Sequence, residues 1–185
     1  MHEIEQLVRA RQLADEAERQ LERGDDFGCG LAVSVAQDAV ELFVRALVRH
    51  HGVSVKDQAT LDQMTLAVDA WAESASIAPL PHRARVQDLN KARVMFKHTG
   101  TAPAASDARR LVRYAIEFLE SACPAFFKIE WGAISLSDLV LASAVRAALK
   151  LAEQKAADEN FAEAVIEAAH AVQLVEGSLM SSLPE

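Results

Sequence analysis

Apolar residues recur every three to four positions through most of this 185-residue chain. A 3.6-residue repeat lines one face of a helix, and it cannot line one face of a strand, where the period is two. The first such run, residues 3–23, places Ile4, Leu7, Val8, Leu13, Ala14, Ala17 and Leu21 on one side and charges on the other. Gly24 is a stop, and Asp25 or Asp26 can cap the next helix. Residues 27–50 are the most apolar stretch, with Leu31, Val35, Ala39, Leu42, Phe43, Ala46 and Leu47 on more than one face. That pattern predicts the central core helix, with Gly28 and Gly30 allowing a neighbour to approach near its start. His50-His51-Gly52 closes it, and the two histidines read as solvent-exposed residues at a helix C-terminus rather than metal ligands.

Further helices are expected over 59–75, 82–98 and from Ser106 or Asp107 to just before Pro124. Two more are expected over roughly 136–156 and 160–176, the last ended by Gly177-Ser178 with a short apolar tail beyond. The apolar segment 124–133 reads mainly as core, with a contact surface as the alternative. The expected organisation is a bundle over 1–123, a connector over 124–135 and a helical hairpin over 136–185. Scarce aromatics (5%) and abundant alanine and leucine agree with an all-α fold. A faint internal repeat sets Val8-Arg9-Ala10, Asp26-Phe27 and Ala39-Val40-Glu41-Leu42 beside Val145-Arg146-Ala147, Asn160-Phe161 and Ala171-Val172-Gln173-Leu174. If it is genuine, the last two helices are half of a bundle. Their core must then be completed by the first domain, by another chain or by residues not present.

Several function classes fall away. Two cysteines, Cys29 and Cys123, without repeated spacing, fit neither a disulfide framework nor a zinc site, and read as small buried apolar residues. No cofactor or metal is expected: the sequence lacks a phosphate loop, a His-Glu-x-x-His pair and a nucleophile elbow. Glu163 and Glu167 share a helix face without the Glu-x-x-His that a di-metal bundle needs. No apolar run reaches membrane-spanning length and the first residues do not form a signal peptide, so the expectation is a cytoplasmic protein. The net charge of −8 argues against indiscriminate polyanion binding. Yet between positions 82 and 113 the balance inverts, with Arg83, Arg85, Lys91, Arg93, Lys97, Arg109, Arg110 and Arg113 against Asp88 and Asp107. Such a block either attracts phosphate or pairs with neighbouring acidic helices.

Inside that block lies the most specific segment, Leu89-Asn90-Lys91-Ala92-Arg93-Val94-Met95-Phe96-Lys97-His98-Thr99-Gly100. On a helix Arg93 and Lys97 share a face, and Asn90 lies near it. His98 falls about 140° around the helix from Arg93. It reaches the same pocket only if the helix end unwinds or a second helix forms the other wall.

The segment resembles the signature of the HEPN superfamily: an arginine, four to six residues, and a histidine at the end of a late helix in a bundle. The resemblance covers roughly residues 3–122 and implies an antiparallel HEPN-like bundle, here with an additional C-terminal helix pair. Many members of that superfamily are metal-independent endoribonucleases of toxin–antitoxin, abortive-infection and CRISPR systems, and they usually work as dimers with two motifs facing one cleft. The resemblance thus implies RNA as substrate, a homodimer, and an antitoxin or other protein partner. His98 would move protons at the ribose 2′-OH and the leaving 5′-oxygen, as imidazoles do near neutral pH. Arg93 would hold the scissile phosphate. Asn90, Lys91 and Lys97, with Arg83 and Arg85 earlier on the same helix, would bind RNA. Active members usually carry a polar residue directly after the arginine, and here that position is Val94. Non-catalytic members serve as RNA-binding or assembly modules, and that reading stays open.

Overall fold

A computed structural model describes residues 2–181 and divides the chain into two compact units, Met1–Ile134 and Ser135–Glu185. The first unit holds five helices: α1 (His2–Glu22), α2 (Asp26–His50), α3 (Leu61–Ser74), α4 (Arg83–Thr99) and α5 (Ala105–Phe127). The second holds α6 (Ser143–Ala157) and α7 (Phe161–Ser181), preceded by a 3-10 turn at Leu136–Leu139. No strand occurs among the described residues, and none of their helices is long and apolar enough to cross a membrane.

α2 is the hub: α1, α3, α4 and α5 all pack on it. It can serve them because it is apolar on several faces and built largely of small residues. Cys29, Ala32, Val33, Ala36, Ala39, Val40 and Val44 are all buried. Its start is fixed by Asp25, whose Oδ1 accepts a hydrogen bond from the Gly28 N–H at 2.5 Å. Both glycines near that start have a steric reason. A Cβ on Gly28 would meet the Gln20 carbonyl at 2.8 Å, and one on Gly30 would meet the Phe96 ring at 2.1 Å. The Phe96 ring lies on the α2 backbone, with Phe27 edge-on to it at 6.3 Å.

The apolar segment after position 123 belongs to the core of the first unit. Phe126, Phe127, Trp131 and Ile134 are buried there, and the rings of Phe127 and Trp131 meet Phe43 edge-on at 5.4 and 6.1 Å. α5 therefore does not stop before Pro124 as expected, but runs on to Phe127. Proline forfeits one backbone bond, to the carbonyl of the exposed Glu120, and the burial of two phenylalanines offsets that loss. Cys29 and Cys123 are both buried, and burial, with Glu130 nearby, pushes the Cys123 thiol up to about 12.

Three other expectations need correction. His51 caps the C-terminus of α2 as expected, but it is half-buried rather than solvent-exposed: it stacks on Trp71 at 4.2 Å, and its Nε2 lies 3.0 Å from the Phe126 carbonyl oxygen. Burial lowers its pKa, the Phe126 contact notwithstanding. The sixth helix starts at Ser143 rather than near 136, because Ser135 and Asp138 close a capping box over the 3-10 turn. Lys150 holds Asp138 at 2.7 Å, and Ser135 and Ser137 both donate to Glu153. Nor does Gly177-Ser178 end the last helix, which continues to Ser181; glycine inside an exposed helix costs only about 1 kcal/mol. The apolar tail beyond lies outside the described residues.

The Phe96 seat on Gly30 makes a quantitative prediction. Gly30→Ala must expel the ring, so it destabilises the protein despite alanine's higher helix propensity. In a Phe96→Ala background the same change is neutral or stabilising. The coupling in a double-mutant cycle, read from urea denaturation, is expected at about 1–2 kcal/mol; additive effects would show that the ring has somewhere else to go.

Candidate functional site

α4 is positioned by devices at both ends. At its start Asp69 of α3 accepts two hydrogen bonds at 2.8 Å, one from the Leu80 N–H and one from Arg83 Nη1. Arg85 pairs with Glu117 of α5, and its guanidinium lies 5.0 Å from the Tyr114 ring centroid. Near its end Phe96 sits on α2, and Gly100 terminates the helix in the left-handed conformation (φ 71°), its N–H donating to the Phe96 carbonyl. Val86 and Leu89 are its buried anchors.

Arg93 projects from this helix into a groove of about 310 Å³, also lined by Leu13 of α1 and by Asp38, Glu41, Leu42 and Arg45 of α2. Its Nη2 stands 3.5 Å from Asp38 Oδ1, with 24% of the Arg93 side chain and 51% of the Asp38 side chain exposed. One long contact leaves most of the guanidinium's five donors free for another acceptor. Burial raises the Asp38 carboxyl above the usual carboxylate range against the pull of Arg93; Glu41 adds to the rise and Lys97 counters it. At Glu41 burial also pushes upward, but hydrogen bonds from Arg45 (2.8 Å) and Gln37 (3.2 Å), and the charges of Arg45 and Arg93, bring the carboxyl below its usual range.

His98 is exposed and does not line the groove, and its side chain makes no hydrogen bond among the described residues. α4 stays helical through Thr99, so its end does not unwind to bring His98 around to Arg93. Of the other residues singled out by sequence, Lys97 is exposed and close enough to Asp38 to influence its titration. Asn90 is half-buried, and Lys91 is exposed and pairs with Asp88 on its own helix at 3.3 Å. Arg83 and Arg85 stand apart from the groove, roughly 12–15 Å back along the helix axis, tied into their own ion pairs.

The basic block is therefore largely neutralised from within. Arg83, Arg85 and Arg93 pair with carboxylates of α3, α5 and α2, and Lys91, Arg110 and Arg113 with carboxylates of their own helices. Lys97 and Arg109 make no salt bridge among the described residues. The groove also contains groups that sequence reasoning passed over: Asp38, Arg45 and Leu13. The signal for the first two was the spacing Asp38, Glu41, Arg45, which draws a polar stripe along an otherwise apolar helix. Among the described residues no group of three or more His, Cys, Asp or Glu is placed to hold a metal ion.

Comparison with known proteins adds one match. A sequence model of the HEPN domain matches residues 5–125, spanning the groove and all five helices of the first unit. No curated protein and no solved structure matches the chain.

The geometry separates supporting ion pairs from surface ones. Asp69→Ala orphans the Leu80 N–H and a guanidinium whose Nε already lacks a partner, and is expected to lower the unfolding free energy by about 1–3 kcal/mol. Asp88→Ala removes an exposed pair and should change it by less than about 0.5 kcal/mol. Equal effects in urea denaturation would mean that Arg83 does not anchor the helix.

Proposed function

Because the chain belongs to the HEPN domain family, we propose that it is a metal-independent endoribonuclease whose working groups are Arg93 and His98, used as a homodimer. The observation that carries the reading is the state of Arg93: held at a groove rim by one long contact to Asp38, with most of its donors uncommitted. Such a guanidinium can exchange its carboxylate for a phosphate without being extracted from a packed pair.

In the reaction proposed, the ribose 2′-oxygen attacks the adjacent phosphorus and the bond to the 5′-oxygen breaks. The 2′-OH proton is taken up and a proton is delivered to the leaving 5′-oxygen, giving a cyclic phosphate and a free 5′-OH. His98 handles these protons, and Arg93 balances the charge gathering on the phosphoryl oxygens. Only RNA carries the nucleophile. Lys97, Lys91 and Asn90 flank the phosphate path, whereas Arg83 and Arg85 serve mainly to hold the helix. Since His98 points about 140° away from Arg93 on an unbroken helix, the second wall of the cleft comes from another copy. HEPN domains often dimerise, and roles in prokaryotic defence or beside an antitoxin are common among them.

One specific observation favours a second reading, in which the same face binds RNA or a protein without cutting. Val94 stands directly after Arg93 and is 41% exposed, so a polar partner that active family members usually carry is absent there, and Asp38 already faces the arginine.

Cleavage of a mixed fluorescent RNA pool in EDTA separates the two. The ribonuclease reading expects activity that survives chelation and falls by about 10²-fold or more in His98→Ala and in Arg93→Ala. A folded wild type that binds RNA but leaves it intact assigns the protein to the second reading. Asp38→Asn supplies a further check common to both. It removes the carboxylate competing with phosphate, so affinity for a short single-stranded RNA should rise roughly two- to fivefold, the worth of a half-exposed ion pair. Because burial raises the Asp38 pKa, the wild-type carboxyl gives up its charge at a higher pH than an ordinary aspartate does. Acidification should therefore raise wild-type affinity by more than it raises that of the variant. Weaker binding by Asp38→Asn would mean that phosphate does not reach Arg93.

A further inference from the structure

Arg45 lines two grooves. One is the Arg93 groove; the other, of about 210 Å³, lies further along α2, where the chain turns toward α3. Gly52, in the left-handed conformation (φ 63°), reverses the chain, and the Val53 N–H donates to the Val48 carbonyl at 2.9 Å, so the segment after α2 folds back beside the helix. Buried Val48 and Met64 form the floor of this second groove, and Arg45, Arg49, Lys56 and Asp57 form its rim. The rim has not closed on itself. Arg49, Lys56 and Asp57 are exposed, and their side chains make no hydrogen bond or salt bridge among the described residues. Arg45 spends its Nε and Nη2 on a single Glu41 oxygen, at 3.2 and 2.8 Å, which leaves Nη1 open. The carbonyls of Leu47, Val48 and Arg49 accept from the N–H groups of His51, Val53 and Gly52, so the negative end of α2 is partly masked.

We propose that this rim is a second phosphate site, and that an RNA strand seated on Arg93 continues along α2 to reach it. The proposal rests on the RNA reading given above and extends it to Arg45, Arg49 and Lys56. Charge selects an anion as the ligand: three cations face one carboxylate, and two of the cations have no partner. A phosphate can collect these donors as a point charge at Lys56 and through the planar forks of the arginines. Size selects a single phosphodiester, because sites that enclose a whole small molecule start at about 300 Å³ and this groove is smaller. Position selects a polymer. Asp38, Glu41, Arg45 and Arg49 lie on one face of α2, and Arg45 is a wall common to both grooves. From Asp38, which faces Arg93, to Arg49 is roughly 16 Å along the helix axis. A stacked strand rising about 3.4 Å per nucleotide covers that span in about five nucleotides, and an unstacked strand in fewer. Glu41 stands between the two grooves, but its carboxylate is already met by Arg45 and Gln37. The strand therefore crosses a neutralised group on its way from one site to the other.

Two RNAs that lack the nucleophile test it. A 2′-fluoro-substituted trinucleotide and decanucleotide, followed by fluorescence anisotropy with the full chain in EDTA, cannot be cut through the 2′-oxygen. Affinity is therefore read whether or not the protein is a ribonuclease. The trinucleotide is too short to touch Arg93 and Arg49 together. Arg49→Gln with Lys56→Gln, both at exposed positions, should weaken decanucleotide binding about three- to tenfold, the worth of two exposed ion pairs. The slope of log affinity against log salt should fall by about 1.4, the release of two counterions from a single strand. The trinucleotide should bind this variant and the wild type equally, whereas Arg93→Ala should weaken both lengths. Removing the same two charges at the exposed Arg19 and Arg110 should leave both affinities unchanged. A decanucleotide sensitive to Arg93 but indifferent to Arg49 and Lys56 would overturn this proposal and spare the RNA reading. So would an equal loss for both lengths, or an equal loss from Arg19→Gln with Arg110→Gln. A folded wild type that binds neither RNA would overturn the RNA reading and this extension together.

Discussion

The seat of the Phe96 ring on Gly30 decides where the basic helix can lie. A side chain at position 30 would occupy the ring's own volume, so the notch in α2 and the ring in α4 determine one another. Because Phe96 is three residues from Arg93 and two from His98, that contact also sets the azimuth of both. Arg93 is turned toward the polar stripe of α2, and His98 is turned out. The Asp69 clamp at the other end of α4 prevents the helix from pivoting about the ring. A site on an otherwise simple bundle thus rests on one steric fit and one half-buried carboxylate.

Charge in this unit performs two tasks that composition cannot separate. Arg83 and Arg85 are as basic as Arg93, but each meets a carboxylate from a neighbouring helix and, at Arg85, an aromatic face as well. Their positive charge is consumed in orienting α4. Arg93 meets its carboxylate at the limit of hydrogen-bond length and in partial solvent, where an ion pair is worth little. The distinction is one of geometry: an arginine satisfied by its surroundings is a strut, and one left under-satisfied at a groove is open to a ligand.

That difference also explains which parts were legible in the sequence. The helices and the central place of α2 follow from apolar periodicity, a property each segment carries by itself. Gly30 was legible as a point of close approach, although not that Phe96 is what approaches. The motif pair was legible as spacing, and the 140° separation followed from helix geometry. The groove was not, because Asp38, Arg45 and Leu13 matter only through what α4 places opposite them. His51 was misread for the same reason: Trp71 and Phe126 come from distant positions to cover it. Local rules failed where tertiary burial outweighed them, at Pro124 inside α5, or where their cost was small, at Gly177 inside α7.

The two hairpins show how little separates a core from an exposed surface. α1–α2 and α6–α7 turn in the same way: a left-handed residue, Gly24 or Glu159, precedes an Asp25 or Asn160 whose side-chain oxygen accepts from the N–H three residues on. In the first hairpin, α2 meets α3, α4 and α5 on its remaining faces, and its valines and phenylalanines are buried. In the second, α7 carries a comparable run of apolar residues, but its valines remain in solvent. Local chemistry cannot account for that contrast, since the turn, the cap and the apolar content agree. What differs is the number of helices supplied to cover the hairpin.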